Sequence, residues 1–588
     1  MSTLVLLGLA TAWLGAKAST IRSELDAAVQ LVSPLRTSLA ANDAITAAET
    51  VTQIRSHTTV ARESSEDPLW GLAGTLPVLG ANFNAISEVA RAADDVSSLG
   101  LAPLVKVFAD LDWNSLLSSH SGMDLEPLRR ASPNVTSAAH AVRESASRLS
   151  AIESGNLLPQ VAEPLESARK QLQSVTGALD TSADASQLLP PMLGIDSPHH
   201  YLVIVQNNAE TRASGGIPGA LAVLTLDKGK LSLGQQSSAS ALGVFDPAIN
   251  VDGQQEVIYS KRLGKYMQDV NLTPDFPTAA ATAQGMWESR TGQRVDGVLS
   301  IDPVALSYLL EAVGPVELKN LDYSSMELGG LPEKLTSDNV VQTLLSDVYA
   351  KIDEPKMQDA YFAAVAQEVF TSLSLGKTDA VRLMTSINKA VGDNRILIWS
   401  ASKVEQAAIE KYRISGSVAG PSIAPSQLAV YFNDGTGAKM DYYVKRTVQL
   451  VKKCPANGYE QTSVRITSTN TAPVDAGKSL PAYVTGGGIF GVPPGTVQTN
   501  IVAYGPIQAH VESATIDGQK TPFAPYLHAN RPVGVVAQQL APGDSRTVEF
   551  TFGKIVQHTE PNVVVTPTVQ SVKDVVLPTE NASCIPGQ

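Results

Sequence analysis

Glu210 and Arg212 stand two residues apart in the segment Gln206-Asn-Asn-Ala-Glu-Thr-Arg-Ala-Ser-Gly-Gly-Ile-Pro-Gly219. An acid, a guanidinium, two adjacent amides (Asn207 and Asn208) and a glycine pair (Gly215 and Gly216) are the parts of an anion site. Glycines let backbone approach a ligand, and an arginine beside exposed N–H groups suits phosphate. The same parts also make a structural loop, held by an asparagine network and a Glu–Arg pair. Spacing alone does not choose between these readings. Asp275, Asp296 and Asp302 are further candidate carboxylates for a charged ligand. Asp296 and Asp302 also fit bland roles, as a strand-end cap and as the N-cap of a helix beginning at Pro303.

Other chemistry is missing from the sequence. Gly376-Lys377-Thr378 ends like a phosphate loop, but the first glycine of that motif would fall on Thr371. No GxSxG, HExxH or CxxC occurs, and His199-His200 has no third ligand spaced near it. The 588 residues carry 44 Lys and Arg against 57 Asp and Glu, a net charge of −13, so the chain lacks the overall footprint of a nucleic-acid binder. Two cysteines exclude a Cys-rich zinc module and a cystine scaffold.

The elements that must position these residues fall into three regions. From 20 to 190 the pattern is helical, a stalk or bundle. Ile21, Leu25, Ala28 and Val32 recur at helical spacing, and Leu165, Ala168, Leu172, Val175 and Leu179 form a heptad seam. Asp67-Pro68, Leu76-Pro77, Gly100 and Ser132-Pro133 are the expected breaks, and Leu188-Leu-Pro-Pro191 ends the region. From 195 to 420, strands at 201–205, 220–226, 231–233, 297–301 and 395–399 alternate with helices at 279–291, 303–313, 340–351 and 358–375, an α/β domain. Gln206–Gly219 is expected as a long loop between the first two strands. From 421 to 588, alternating runs such as Thr547-Val-Glu-Phe-Thr-Phe552 and turns at Asp517-Gly518 and Pro542-Gly-Asp544 suggest a β-sandwich.

The first 19 residues are apolar, with Leu4, Val5, Leu6, Leu7, Leu9, Trp13 and Leu14 ahead of Ala16-Lys-Ala18. They read as a signal segment or as part of a single-pass membrane anchor, with the bulk of the chain extracytoplasmic. A buried core helix is the bland alternative. Cys454 and Cys584 are expected to form a disulfide in that oxidising compartment, the alternative being two buried thiols.

Several blocks together resemble a family of uncharacterised envelope proteins of high-GC Gram-positive bacteria, domain of unknown function four-thousand-and-twelve. They are Gln206–Gly219 with Leu224–Lys230, Asn271-Leu-Thr-Pro-Asp275-Phe-Pro277, Asp296–Pro303 with Gly314-Pro-Val316, and Asp67-Pro-Leu-Trp70 with Leu76-Pro-Val-Leu-Gly80. More distantly, the α/β core resembles the LytR-CpsA-Psr phosphotransferases, which move glycopolymers from a polyprenyl pyrophosphate carrier onto peptidoglycan. That resemblance implies arginines on the pyrophosphate and carboxylates on magnesium. Arg212 fits the first arginine. The second arginine and the following acid would fall near Gly216–Gly219 and are absent, and the later arginine-rich stretch would fall near Tyr349–Gln358, where lysines stand instead.

The expectation is thus a multidomain α+β envelope protein. It has a helical stalk, a central α/β domain like the LytR-CpsA-Psr core and a C-terminal β-sandwich. It would bind or transfer lipid-linked glycopolymer through the Arg212 loop, with peptidoglycan as a further partner, the membrane reached through the N-terminal segment, and no nucleic acid. The alternative is a non-catalytic scaffold built on a degenerate transferase-like core. Whether the chain is an enzyme stays open, and magnesium is implied only by the phosphotransferase resemblance.

Overall fold

The computed structural model describes residues 2–41, 43–110, 124–318, 330–374, 380–456 and 458–582. They divide into two compact units, one reaching to Ser197 and one running from Pro198. The chain is multidomain α+β, with a helical N-terminus and a sheet-rich C-terminal region.

The first unit is helical: α1 Ser2–Gln30, α2 Val32–Ala40, α3 Ala44–Ser65, α4 Pro68–Ala73, α5 Gly80–Asp95, α6 Ala102–Asp110, α7 Glu126–Ser150 and α8 Pro159–Met192. Its core is rich in alanine. Ala47, Ala61, Ala90 and Ala138 are fully buried, so neighbouring helices approach closely. The seam of α8 places Leu165 and Leu179 inside. Arg148 ties α7 to α5 through Glu88 at 2.6 Å and Asp95 at 2.5 Å.

Three expectations need correction here. Ser132-Pro133 does not end a helix, because Pro133 lies inside α7, whereas Leu188–Pro191 does mark the end of the region, since α8 stops at Met192. A proline in a helix loses one hydrogen bond, and the buried face of α7 (Val135, Ala138, Ala139, Val142) offsets that loss. Gly100 sits in a π-helical turn, Val96–Leu101, that continues the chain from α5 into α6. The single-pass anchor is overturned as well, since among the described residues no helix is long and apolar enough to cross a membrane.

The second unit opens with β1 His199–Arg212, β2 Gly215–Asp227 and β3 Lys230–Ser238. Then come β4 Gly297–Ile301, the two-residue strands β5 Val316–Glu317 and β6 Lys334–Leu335, and β7 Ile396–Ser400. The sheet order is β3-β2-β1-β4-β7. β1 runs parallel to β4, and the other pairs are antiparallel. Helix Phe276–Thr291 covers one face through Ala279, Ala283, Met286 and Trp287, which join Leu202, Ile204 and Val298 in one core.

The remaining strands are β8 Gln427–Asp434, β9 Val444–Ala456, β10 Tyr459–Asn470, β11 Val497–Tyr504, β12 His510–Ile516, β13 Gln519–Thr521, β14 Ala524–His528, β15 Arg531–Leu540, β16 Ser545–Ile555, β17 Asn562–Val565 and β18 Val576–Asn581. They form a six-stranded sheet, β13-β12-β16-β10-β9-β18, and a five-stranded sheet, β14-β15-β11-β8-β17. Phe432, Ile466, Ile501, Phe550 and Phe552 from both sheets fill one core between them. Cys454 lies on β9 and is not a free thiol. The expected Cys454–Cys584 disulfide lies partly outside the described residues, since Cys584 is not among them.

The two sheet systems are not separate bodies. Ala213, Tyr259, Val418, Tyr431, Tyr504 and Val533 share a core that runs from one to the other, and the Tyr259 and Tyr504 hydroxyls meet at 2.7 Å.

Candidate functional site

Gln206–Gly219 is strand, not loop. β1 runs through to Arg212, and only Ala213 and Ser214 stand between it and β2. The strand is long because it carries an irregularity. Asn207 pairs with Ile217 and Thr211 with Gly216, which leaves Asn208, Ala209 and Glu210 without partners on β2. A bulge of this kind re-aims side chains. The two glycines serve that packing. A Cβ on Gly216 would sit 2.1–2.4 Å from the backbone of Asn207 and Asn208, and Gly215 has φ +144° with Gln206 Oε1 against it. Gln206 Oε1 accepts from the N–H of Gly216 at 2.9 Å.

The bulge delivers Glu210 into a buried charge network. Glu210 Oε1 accepts from Arg212 Nη2 at 2.8 Å, and Oε2 accepts from Lys439 Nζ at 2.8 Å. Arg212 Nη2 also lies 3.5 Å from Asp269 Oδ1, whose other oxygen accepts from Arg262 Nε at 2.7 Å. Both Glu210 and Arg212 are 5% exposed. Burial alone would raise the Glu210 carboxyl, but Lys439 and Arg212 outweigh it and hold Glu210 below its ordinary range. Burial opposes the charge on Lys439 and on Arg212. Glu210 outweighs it for Lys439, and Glu210 with Asp269 for Arg212, so both stay more firmly protonated than usual. Lys439 also sits 5.7 Å from the ring centre of Tyr349 and 5.4 Å from that of Tyr483. Asn207 donates from Nδ2 to the hydroxyl of Tyr349.

The neighbouring positions are used in the same way. The N–H of Thr211 donates to Asp441 Oδ2 at 3.1 Å, and Asp441 Oδ1 pairs with Arg446 Nη2 at 2.5 Å. Asp434 accepts from the N–H groups of Thr436 and Gly437. Burial, then the nearby charges of Asp441 and Glu210, push the Asp434 carboxyl up to about 7. Asn208 donates to Asp302 Oδ2 at 3.1 Å and to the carbonyl of Pro567. Asp302 pairs with Arg395 at 2.7 Å, and Arg395 donates on to the carbonyls of Thr568 and Gln570.

Asn207, Asn208, Glu210, Arg212, Gly215, Gly216 and Asp302 therefore lie along one seam between the central sheet and the C-terminal strands. Asp302 N-caps its helix, taking the N–H of Ala305 at 2.7 Å. Asp275 caps helix Phe276–Thr291 through Thr278 and accepts from the N–H of Val418 at 3.2 Å. Asp296 is elsewhere. It accepts from the N–H of His200 at 2.8 Å, at the opposite end of β1 from Glu210. Ten strand residues separate those ends, about 33 Å. Asp296 shares no site with Arg212.

Sequence reasoning missed Lys439, Asp434, Asp441, Arg446 and Arg395. One signal was present. In Val444-Lys-Arg-Thr-Val448 the alternation places Arg446 on the same face as Val444 and Val448, which is the buried face.

Residues 196–349 match the family model described as protein of unknown function (DUF4012), the family to which the sequence blocks point. The matched span holds β1 to β5 and the bulge, and it ends before the connection between β8 and β9 that supplies Lys439 and Asp441. No curated protein matches the chain.

Proposed function

We propose that this chain is a non-catalytic scaffold or binding protein. Its central sheet is a core like that of the LytR-CpsA-Psr phosphotransferases in which the arginine and carboxylate positions have been turned to packing. One observation carries this reading: the Arg212 guanidinium is buried against Glu210 and Asp269, while Lys439 from the connection between β8 and β9 holds the second oxygen of Glu210. A pyrophosphate at Arg212 would have to displace two carboxylates from a desolvated pair. Removing one member of a buried ion pair leaves the other charge uncompensated, at a cost of about 3–5 kcal/mol.

A second reading, recognition of lipid-linked glycopolymer at Arg212, has one observation in its favour. Arg212 Nε, Thr211 Oγ1 and Asn208 Oδ1 are buried with no hydrogen-bond partner among the described residues. Calorimetric titration of the full chain with polyprenyl pyrophosphate, with and without magnesium, separates the two. The scaffold reading expects no binding heat, and it expects Arg212→Ala to lower unfolding stability by about 3–5 kcal/mol. Saturable binding that Arg212→Ala abolishes while the variant stays folded would establish the second reading instead.

A further inference from the structure

The helical unit carries an apolar end that packing leaves uncovered. From Pro68 to Gly80 no side chain is charged, and Thr75 is the one polar side chain. Leu72 is 65% exposed and Val78 89% exposed, and Leu69, Leu76 and Leu79 are also exposed. Val78 has φ +68°, a left-handed conformation that is strained for a β-branched residue. The turn after α4 thus holds its most exposed apolar side chain outward against a backbone preference.

A second apolar segment reaches the same end. No residue of α1 before Lys17 is charged, and Leu14 packs in the cluster that buries Trp70. Trp13 is half-exposed beside α4. Its ring N–H donates to Asp67 Oδ2 at 3.3 Å, Lys17 lies 5.3 Å from the ring centre, and Lys17 pairs with Asp67 at 3.5 Å. The first charges of both segments, Lys17 and Asp67, therefore pair directly beside the Trp13 indole. Exposed apolar side chains beside an amphipathic ring are groups found at a membrane interface.

We propose that this end of the helical unit docks into the interfacial layer of a lipid bilayer without crossing it. Val78 and Leu72 are the most exposed large apolar side chains of this end. A protein partner needs a complementary shape, whereas acyl chains accept any apolar projection. The proposal is independent of the reading of the Arg212 seam.

Flotation of the full chain with vesicles of equal parts phosphatidylcholine and phosphatidylglycerol tests it. The comparison is with the double variant Leu72→Glu/Val78→Glu and a milder Leu72→Ser/Val78→Ser pair. Circular dichroism checks the fold, and light scattering reads the oligomeric state. Both positions are exposed, so the helices should remain intact. The expected result is wild-type flotation, with vesicle partitioning weakened about tenfold or more in the glutamate variant and less in the serine pair. Wild-type protein that stays with the unbound fraction would overturn the proposal. So would a glutamate variant that floats equally well, or a wild-type dimer that the variant dissolves without any lipid binding.

Discussion

At the scale of residues, burial decides what each charge does. Glu210 ionises despite burial because two cations face it, whereas Asp434 is raised by burial and then by the two carboxylates near it. The pH consequences are opposite in sign. Asp434 binds its proton more tightly in the folded chain, so between its ordinary range and about pH 7 the folded state holds more protons. Stability from this group is full at low pH and falls as pH rises toward 7. Glu210 binds its proton less tightly when folded, so its contribution is present at neutral pH and lost in acid. Asp434→Asn keeps an acceptor for the N–H groups of Thr436 and Gly437 and removes the charge. It should raise stability at both pH 5 and pH 8, and by about 2–3 kcal/mol more at pH 8, because the wild-type contribution falls by ~1.4 kcal/mol per pH unit up to about pH 7, measured by denaturant unfolding at both values. The N-cap role of Asp302 was legible in the sequence, because Pro303 follows it. Lys439 was not, because it reaches Glu210 from 229 positions away and nothing local marks that pairing.

At the scale of elements, the bulge at Asn208–Glu210 and the turn at Ala213-Ser214 turn an expected loop into strand. Asparagine, serine and glycine read as loop formers. Here asparagine side chains hold the neighbouring backbone, and the glycines admit close strand packing. Gly216→Ala should therefore be severe, because its Cβ meets backbone atoms rather than a movable side chain. We expect a loss of about 2 kcal/mol or more in chemical unfolding. Gly253→Ala is the control, since a Cβ there meets nothing within 4 Å. Strands and helices with plain periodicity were legible: helix Pro303–Val313 and strand Gly297–Ile301 lie where the pattern puts them. Pro133 within α7 misled the reading, since tertiary burial outweighs one lost hydrogen bond.

At the scale of the molecule, the order of helical, mixed and β regions could be read from composition and period, but the coupling of the last two could not. The seam and the tyrosine-rich core between them join residues far apart in sequence, such as Ala213 and Asn433 or Asn208 and Pro567. We expect amide hydrogens of β1 and of β8 to exchange through one shared opening, with equal protection free energies. Lys439→Ala should lower both together. The most direct test of the seam is a double-mutant cycle on Glu210 and Lys439, using Glu210→Gln and Lys439→Met in the full chain and reading unfolding free energy. A structural seam predicts that each single change is destabilising and that the pair is non-additive, with a coupling of about 1–3 kcal/mol. Single variants within about 0.5 kcal/mol of wild type, and strict additivity, would contradict it.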